Sequence, residues 1–140
     1  MRSRGVGLFA LALAVTGTLA SCGESSSSVP DSSVLAPQTL QAGEVEVIIT
    51  PTRLDDEGAT FTIVLDTHSA DLSVDLTTAA ILDVGGTKWT VEGWVGDGLG
   101  GHHREGELSF GAEGPAKGTA SLKIAGLPEP VVAAWELDGG

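Results

Sequence analysis

From Glu44 onward, apolar and polar residues alternate with a period of two. Val45, Val47 and Ile49 stand between Glu44, Glu46 and Ile48, and Pro51 is expected to end the run. After a turn at Asp55-Asp56-Glu57-Gly58, Phe61, Ile63 and Leu65 alternate with Thr60, Thr62 and Val64. Half-buried strands carry this period because successive side chains leave opposite faces of the pleat. Ala79-Ala80-Ile81-Leu82 predicts a third strand. Asp83-Val84-Gly85-Gly86 then supplies hairpin-turn chemistry before Thr87 to Trp94 returns with Trp89, Val91 and Trp94 inward. Glu107 to Phe110, the run through Ala120, Leu122 and Ile124, and Val131 to Leu137 complete the set. No segment after Leu40 carries a helical stripe of useful length. About seven short strands punctuated by Gly, Pro and Asp turns predict an all-β fold, an antiparallel immunoglobulin-like β-sandwich over residues 42–138. Its core is expected to hold Phe61, Ile63, Leu65, Trp89, Leu108, Phe110, Leu122 and Trp135. The Cys–Trp–Cys core of immunoglobulin domains is absent, so the order of the strands stays open.

The chain before this pattern is of another kind. Arg2 and Arg4 precede an apolar run from Val6 to Leu19, followed by Ala20-Ser21-Cys22 and then Gly23-Glu24-Ser25-Ser26-Ser27-Ser28. A basic start, a short apolar core and small residues before a cleavage point make a secretory signal over residues 1–21. The run is too short for a transmembrane helix, which needs roughly 20 apolar residues. An ordinary cleaved signal would leave Cys22 as an odd thiol in an oxidising compartment. Leu19-Ala20-Ser21-Cys22 resembles the lipobox of bacterial lipoproteins. That resemblance implies cleavage between Ser21 and Cys22, diacylglycerol on the Cys22 thiol and acylation of the new amino terminus. The expected place is the extracytoplasmic face of a cell membrane, with the membrane as a partner through the lipid. Residues 22–41 read as the lipidated N-terminus and a Ser/Pro-rich linker, with 24–38 expected to be disordered because they bury too little surface to offset ordering entropy.

Charge narrows the partners. The whole chain carries −12, and all 19 carboxylates lie after Cys22 while Arg2 and Arg4 leave with the signal. Five cations against 19 carboxylates give a mature chain of −14. Such a chain is repelled by nucleic acid and by anionic headgroups, so nucleic-acid binding is excluded and attachment must come from the lipid. The acidic surface serves solubility first and suits cationic partners or metal ions, and the candidate ligands are a protein or a metal. With Cys22 as the only cysteine there is no disulfide framework, thiolate metal site or cysteine nucleophile.

All three histidines fall in two short motifs, Asp66-Thr67-His68-Ser69-Ala70-Asp71 and Gly100-Gly101-His102-His103-Arg104-Glu105. Both sit at expected strand ends, where loops of a sandwich can converge. Together with the tryptophans and a terminal Trp-Glu-Leu, they make residues 44–138 similar to small exported bacterial and archaeal domains of unknown function. That resemblance implies a unit and no activity. Two readings of the motifs stand. One is a copper or zinc site using His68, His102, His103 and Asp66, with Asp71 or Glu105 able to complete the coordination. The other is a structural polar lock in which Arg104 pairs with Asp66 or Asp71, with Glu105 beside it. Adjacent His102 and His103 face apart on extended backbone, which works against a shared ion.

Other motifs carry less. Gly96-Asp97-Gly98-Leu99-Gly100-Gly101 fits the dinucleotide glycine pattern, but no helix follows it. Asp55-Asp56-Glu57-Gly58 lacks the spaced ligands of a calcium loop. Ser69 beside His68 faces away from it on a strand, and no nucleophile elbow occurs, so no catalytic residue is assigned and an enzyme is not expected. Trp94 beside the glycine loop is a candidate groove wall. The expected function is a lipid-anchored, non-catalytic binding or cell-envelope interaction module. The alternative is a copper- or zinc-binding envelope protein.

Overall fold

The computed structural model describes residues 35–138. The expected signal peptide, Cys22 and most of the expected linker lie outside the described residues. The chain is all-β, with eight antiparallel strands: β1 Gln38–Ala42, β2 Val45–Asp55, β3 Gly58–Thr67, β4 Ala80–Val84, β5 Thr87–Gly96, β6 His103–Gly111, β7 Gly118–Ile124 and β8 Val131–Leu137. One short helix, α1 Leu76–Ala79, joins β3 to β4. Among the described residues no helix is long and apolar enough to cross a membrane.

The strands form one sheet in the order β1-β2-β3-β6-β5-β4-β7-β8, curled until it is nearly a barrel. The expected pair of stacked sandwich sheets is thus replaced by a single sheet. The reason lies in β5, which pairs with β4 from Thr87 to Trp89 and with β6 from Thr90 to Gly96. A bulge between Val91 and Gly93 bends the strand where it changes neighbours, as an unpaired extra residue does. The two sheet edges are tied by side chains. Gln38 Nε2 donates to the Ala134 carbonyl (2.5 Å), and Trp135 Nε1 donates to the Ala36 carbonyl (2.8 Å).

The eighth strand is β1, which begins inside the stretch read as linker. Leu35 and Leu40 pack against the core, and Ala42 is buried in it. β2 likewise runs past Pro51 to Asp55, because a register shift between Pro51 and Arg53 absorbs the proline without ending the pairing. The core holds all eight of the expected side chains, with Phe61 stacked edge-on against Phe110 at 6.0 Å and tilted against Trp135 at 5.4 Å. Each large apolar side chain so buried contributes about 1.5–3 kcal/mol.

Antiparallel order gives the barrel two rims. The Gly43-Glu44 turn, the 68–79 segment, the 97–102 loop and the 125–130 loop lie at one. The β2–β3 and β4–β5 turns, the 112–117 loop and both ends of the described chain lie at the other. Every histidine is at the first rim.

Candidate functional site

The histidine rim is built by β3 and β6 running side by side. Asp66 is in register with His103, and the ladder continues one step through a bond from the Thr67 N–H to the His102 carbonyl (2.9 Å). Thr67 is the buried hinge of the first motif. Its hydroxyl donates to the Glu44 carbonyl (3.0 Å) and accepts from the N–H groups of Ser69 (3.3 Å) and Ala70 (3.0 Å). A threonine that both donates and accepts in this way turns the chain out of the sheet and fixes His68 outside it. Ser69 Oγ adds a bond to the Glu44 carboxylate.

The second motif turns on two glycines, Gly100 at φ +93° and Gly101 at φ +79°, in a region that favours glycine. Beyond them β6 alternates: His103 outward, Arg104 inward, Glu105 outward. His103 Nδ1 meets Asp66 Oδ1 at 2.5 Å, while Nε2 stands 3.9 Å from Glu105 Oε2. The Asp66 carboxylate, by hydrogen bond and by charge, raises the His103 pKa above its ordinary value. The Asp97 and Glu105 carboxylates act in the same direction. This face is exposed, so the pair is screened by solvent.

Arg104 is 2% exposed and lies among the largest buried side chains of the domain. Its Nη1 donates to the carbonyls of Leu72 (3.0 Å) and Val74 (2.7 Å), and Nη2 reaches the Asp97 carbonyl at 3.4 Å. The Trp94 ring centroid lies 5.5 Å from its guanidinium carbon, close enough for a cation–π contact. Trp94 Nε1 donates to the same Asp97 carbonyl (2.9 Å). The Leu72 carbonyl also accepts from the Gly100 N–H (2.9 Å). Arg104 therefore joins the 71–75 and 96–101 segments, and it does so through carbonyl oxygens. β5 and β6 approach closely beside it. A Cβ on Gly106 would stand 2.6 Å from the Trp94 ring, and one on Gly96 would stand 2.4 Å from the Glu105 carbonyl oxygen.

The partners differ from those expected. Asp66 pairs with His103, and Asp71 accepts from Ser73 Oγ (2.6 Å). The Glu105 N–H donates to Asp97 Oδ2 (2.9 Å). A buried guanidinium needs several oriented acceptors, and the ends of two loops supply them as carbonyls where neither Asp66 nor Asp71 reaches. The inward place of Arg104 had a signal in the sequence: counting back by two from Phe110 and Leu108 reaches Gly106 and then Arg104.

His68 takes another position. It lines an open hollow of about 340 Å³ together with Gln41, Glu44, Glu46, Asp66 and Thr67. Asp66 thus stands between the hollow and His103. His102 is exposed at the bend before β6 and lends its backbone carbonyl to Thr67. Among the described residues no group of three or more His, Cys, Asp or Glu is arranged to hold a metal ion. His68, His102, His103 and Asp66 are neighbours along one rim without forming a ligand set. Trp94 is half-buried over Arg104, with its indole N–H committed to Asp97, so its use as a groove wall is limited to one edge.

One feature of this region escaped the sequence reading. The outward positions of β1, β2, β3 and β6 line up in rows across the sheet. Gln41, Glu46, Asp66 and His103 form the first row, and Thr39, Ile48, Val64 and Glu105 form the second. Thr50, Thr62, Glu107 and, on β5, Val95 form the third. Strand alternation marks each of these residues as outward. Only strand order brings the carboxylates to one face.

Comparison with protein-family models, with curated proteins and with solved structures finds no match to this chain.

Proposed function

We propose that this chain is a membrane-anchored extracytoplasmic lipoprotein whose barrel is a non-catalytic binding or cell-envelope interaction module. The observation that carries the reading is Leu19-Ala20-Ser21-Cys22 at the end of a short apolar run with Arg2 and Arg4 before it. The rims support it. The chain enters the barrel through Leu35 and β1 at the rim opposite the histidines, so a lipid at Cys22 tethers that rim and leaves the histidine rim unattached. A cysteine bearing two or three acyl chains holds such a head firmly, since one chain alone gives only marginal membrane affinity.

Binding fits the polar groups of the outer rim better than catalysis does. Arg104, Thr67 and the Asp97 carbonyl are engaged in fixing loops, and the histidines and carboxylates beside them are presented on rigid strand ends. The test is mass spectrometry of the mature N-terminus combined with fractionation of wild type and Cys22→Ala. The expected result is a lipid-modified Cys22 at the mature terminus and release of Cys22→Ala from the membrane. A mature terminus elsewhere, or an unmodified Cys22 thiol, contradicts the reading.

A further inference from the structure

We propose that the outward face of β2, β3, β6 and the second half of β5 docks a basic polypeptide segment carrying apolar side chains between its cations. This rests on the binding-module reading above and names the chemistry of the partner. The starting observation is apolar. Ile48 and Val64 stand directly opposite each other on the outside of the sheet, and Val95 is 77% exposed on β5. Leu99, 64% exposed, lies just past the end of the same strand. Scattered exposed apolar residues are ordinary on a protein surface. Here Ile48, Val64 and Val95 share a sheet face with four carboxylates. Glu105 is in register with Val64 and Glu107 with Val95, and Glu46 and Asp66 stand two residues away on the same strands as Ile48 and Val64.

The charge on that face is one-sided and costs stability. Glu46 lies directly opposite Asp66, an arrangement of like charges that destabilises an antiparallel pair. His103 relieves Asp66 from the far side, while no cation faces Glu46, Glu105 or Glu107 from a neighbouring strand. The described Lys and Arg residues are elsewhere. Lys88 is at the start of β5, Lys117 in the 112–117 loop, and Lys123 on β7. Arg53 is held by Asp55 and Glu57 at the terminal rim, and Arg104 is buried. A like-charge pairing that the fold relieves only from the His103 side is a local conflict of the kind found at functional surfaces.

Charge complementarity selects the occupant. Lys or Arg side chains meet the four carboxylates, and apolar side chains meet Ile48, Val64 and Val95. On an extended segment only every second side chain faces the sheet, so the cations and apolar groups take turns at positions i and i+2, and the residues between them point away. Nucleic acid and anionic lipid are excluded by sign. The chain's own net charge of −12 opposes a second copy on this face.

The experiment uses the full mature chain as isolated from cells, in zwitterionic nanodiscs if it carries lipid and in buffer if it does not. The probe is a ten-residue peptide in which every second residue is by turns Lys and Val and the residues between are Ser, so that cations and apolar groups share one face. Its binding is followed by fluorescence anisotropy at low and physiological ionic strength, with amide shifts recorded by NMR. The peptide should bind, with shifts centred on Glu46, Val64, Val95, Glu105 and Glu107. Glu105→Lys with Glu107→Lys should weaken binding about tenfold or more. Asp83→Lys with Glu136→Lys changes the net charge equally on the other half of the barrel and should alter affinity less than about twofold. Val95→Ser should weaken it about threefold through lost apolar contact. Equal losses from the two charge pairs, equally strong binding of the same peptide with Glu in place of Lys, or shifts elsewhere would overturn the proposal. So would absence of binding at low ionic strength, or sedimentation showing that the face is covered by a second copy. An unlipidated chain that binds the peptide sinks the anchor and keeps the face. A lipidated chain that does not bind it sinks the face and keeps the anchor.

Discussion

At the histidine rim Arg104 is 2% exposed and its guanidinium meets carbonyl oxygens, whereas at the terminal rim the Arg53 side chain is 45% exposed and reaches two carboxylates. By a count of ion pairs Arg53 is the stronger contributor. Solvent reverses that order. The Arg53 network, with Asp55 and Glu57, sits in water that already solvates all three groups. Arg104 has been removed from water, and it donates to the carbonyls of Val74 and of Leu72, the latter also accepting from the Gly100 N–H. Burial, more than formal charge, decides which arginine holds a rim together. The two rims therefore differ in kind. One is cross-linked through its interior and carries His103 on a strand end, and the other carries two turns, the 112–117 loop and both ends of the described chain.

The largest effect is expected at the buried member of the comparison. Arg104→Ala removes the donors to Leu72 and Val74 and opens space beside Trp94, which should cost about 2–4 kcal/mol. Thermal melting should fall by about 10 °C or more, while hydrogen exchange accelerates first in 71–75 and 96–101. A melting temperature unchanged by this substitution would break the contrast between the rims. Thr67→Val keeps the shape and deletes the hydroxyl that serves Glu44, Ser69 and Ala70. A loss of about 1–3 kcal/mol is expected by denaturant unfolding.

Arg53→Ala is the counterpart at the other rim. Its melting curve should overlay wild type, because exposed pairs of this kind contribute little. A shift as large as that of Arg104→Ala would mean that the Asp55–Glu57 turn is the more tightly coupled end. The smallest effect concerns pH. The native His103 pKa is raised by Asp66, so its contribution to stability is fully present below the unfolded histidine pKa of about 6.5 and fades as pH rises through the raised native value. Wild type should therefore exceed His103→Gln by most in mildly acidic buffer and converge with it in alkaline buffer. The opposite trend would show that His103 gains nothing from Asp66.

Much of the fold was legible because burial on one face writes itself as alternation. β2, β3, β7 and β8 all show it, and Phe61, Leu122 and Trp135 fall inside as the period requires. β1 was not legible. Gln38-Thr39-Leu40-Gln41-Ala42 offers two inward apolar residues beside a proline, and it is held by its register with Val45 to Ile49 and by the Gln38 and Trp135 bonds across the seam. Strand order was also hidden, since β5 pairs with β4 through Trp89 and with β6 from Thr90, a long-range change of neighbour that alternation does not record. At the site, the closeness of Asp66 to His103 follows from pairing β3 with β6, which no local pattern dictates. Arg104 was visible as a lock, but its acceptors were backbone groups, and backbone acceptors leave no mark on residue type.

The central proposal is that the lipid tethers the rim where the chain enters and leaves the histidine rim farther from the membrane. It is tested most directly by paramagnetic relaxation on the lipidated chain in nanodiscs carrying a gadolinium-chelating lipid. Amides of Gly85, Ala116 and Leu137 should broaden strongly, and those of His68, Gly100 and Glu105 weakly. Stronger broadening at the histidine rim, or equal broadening at both, would contradict the account.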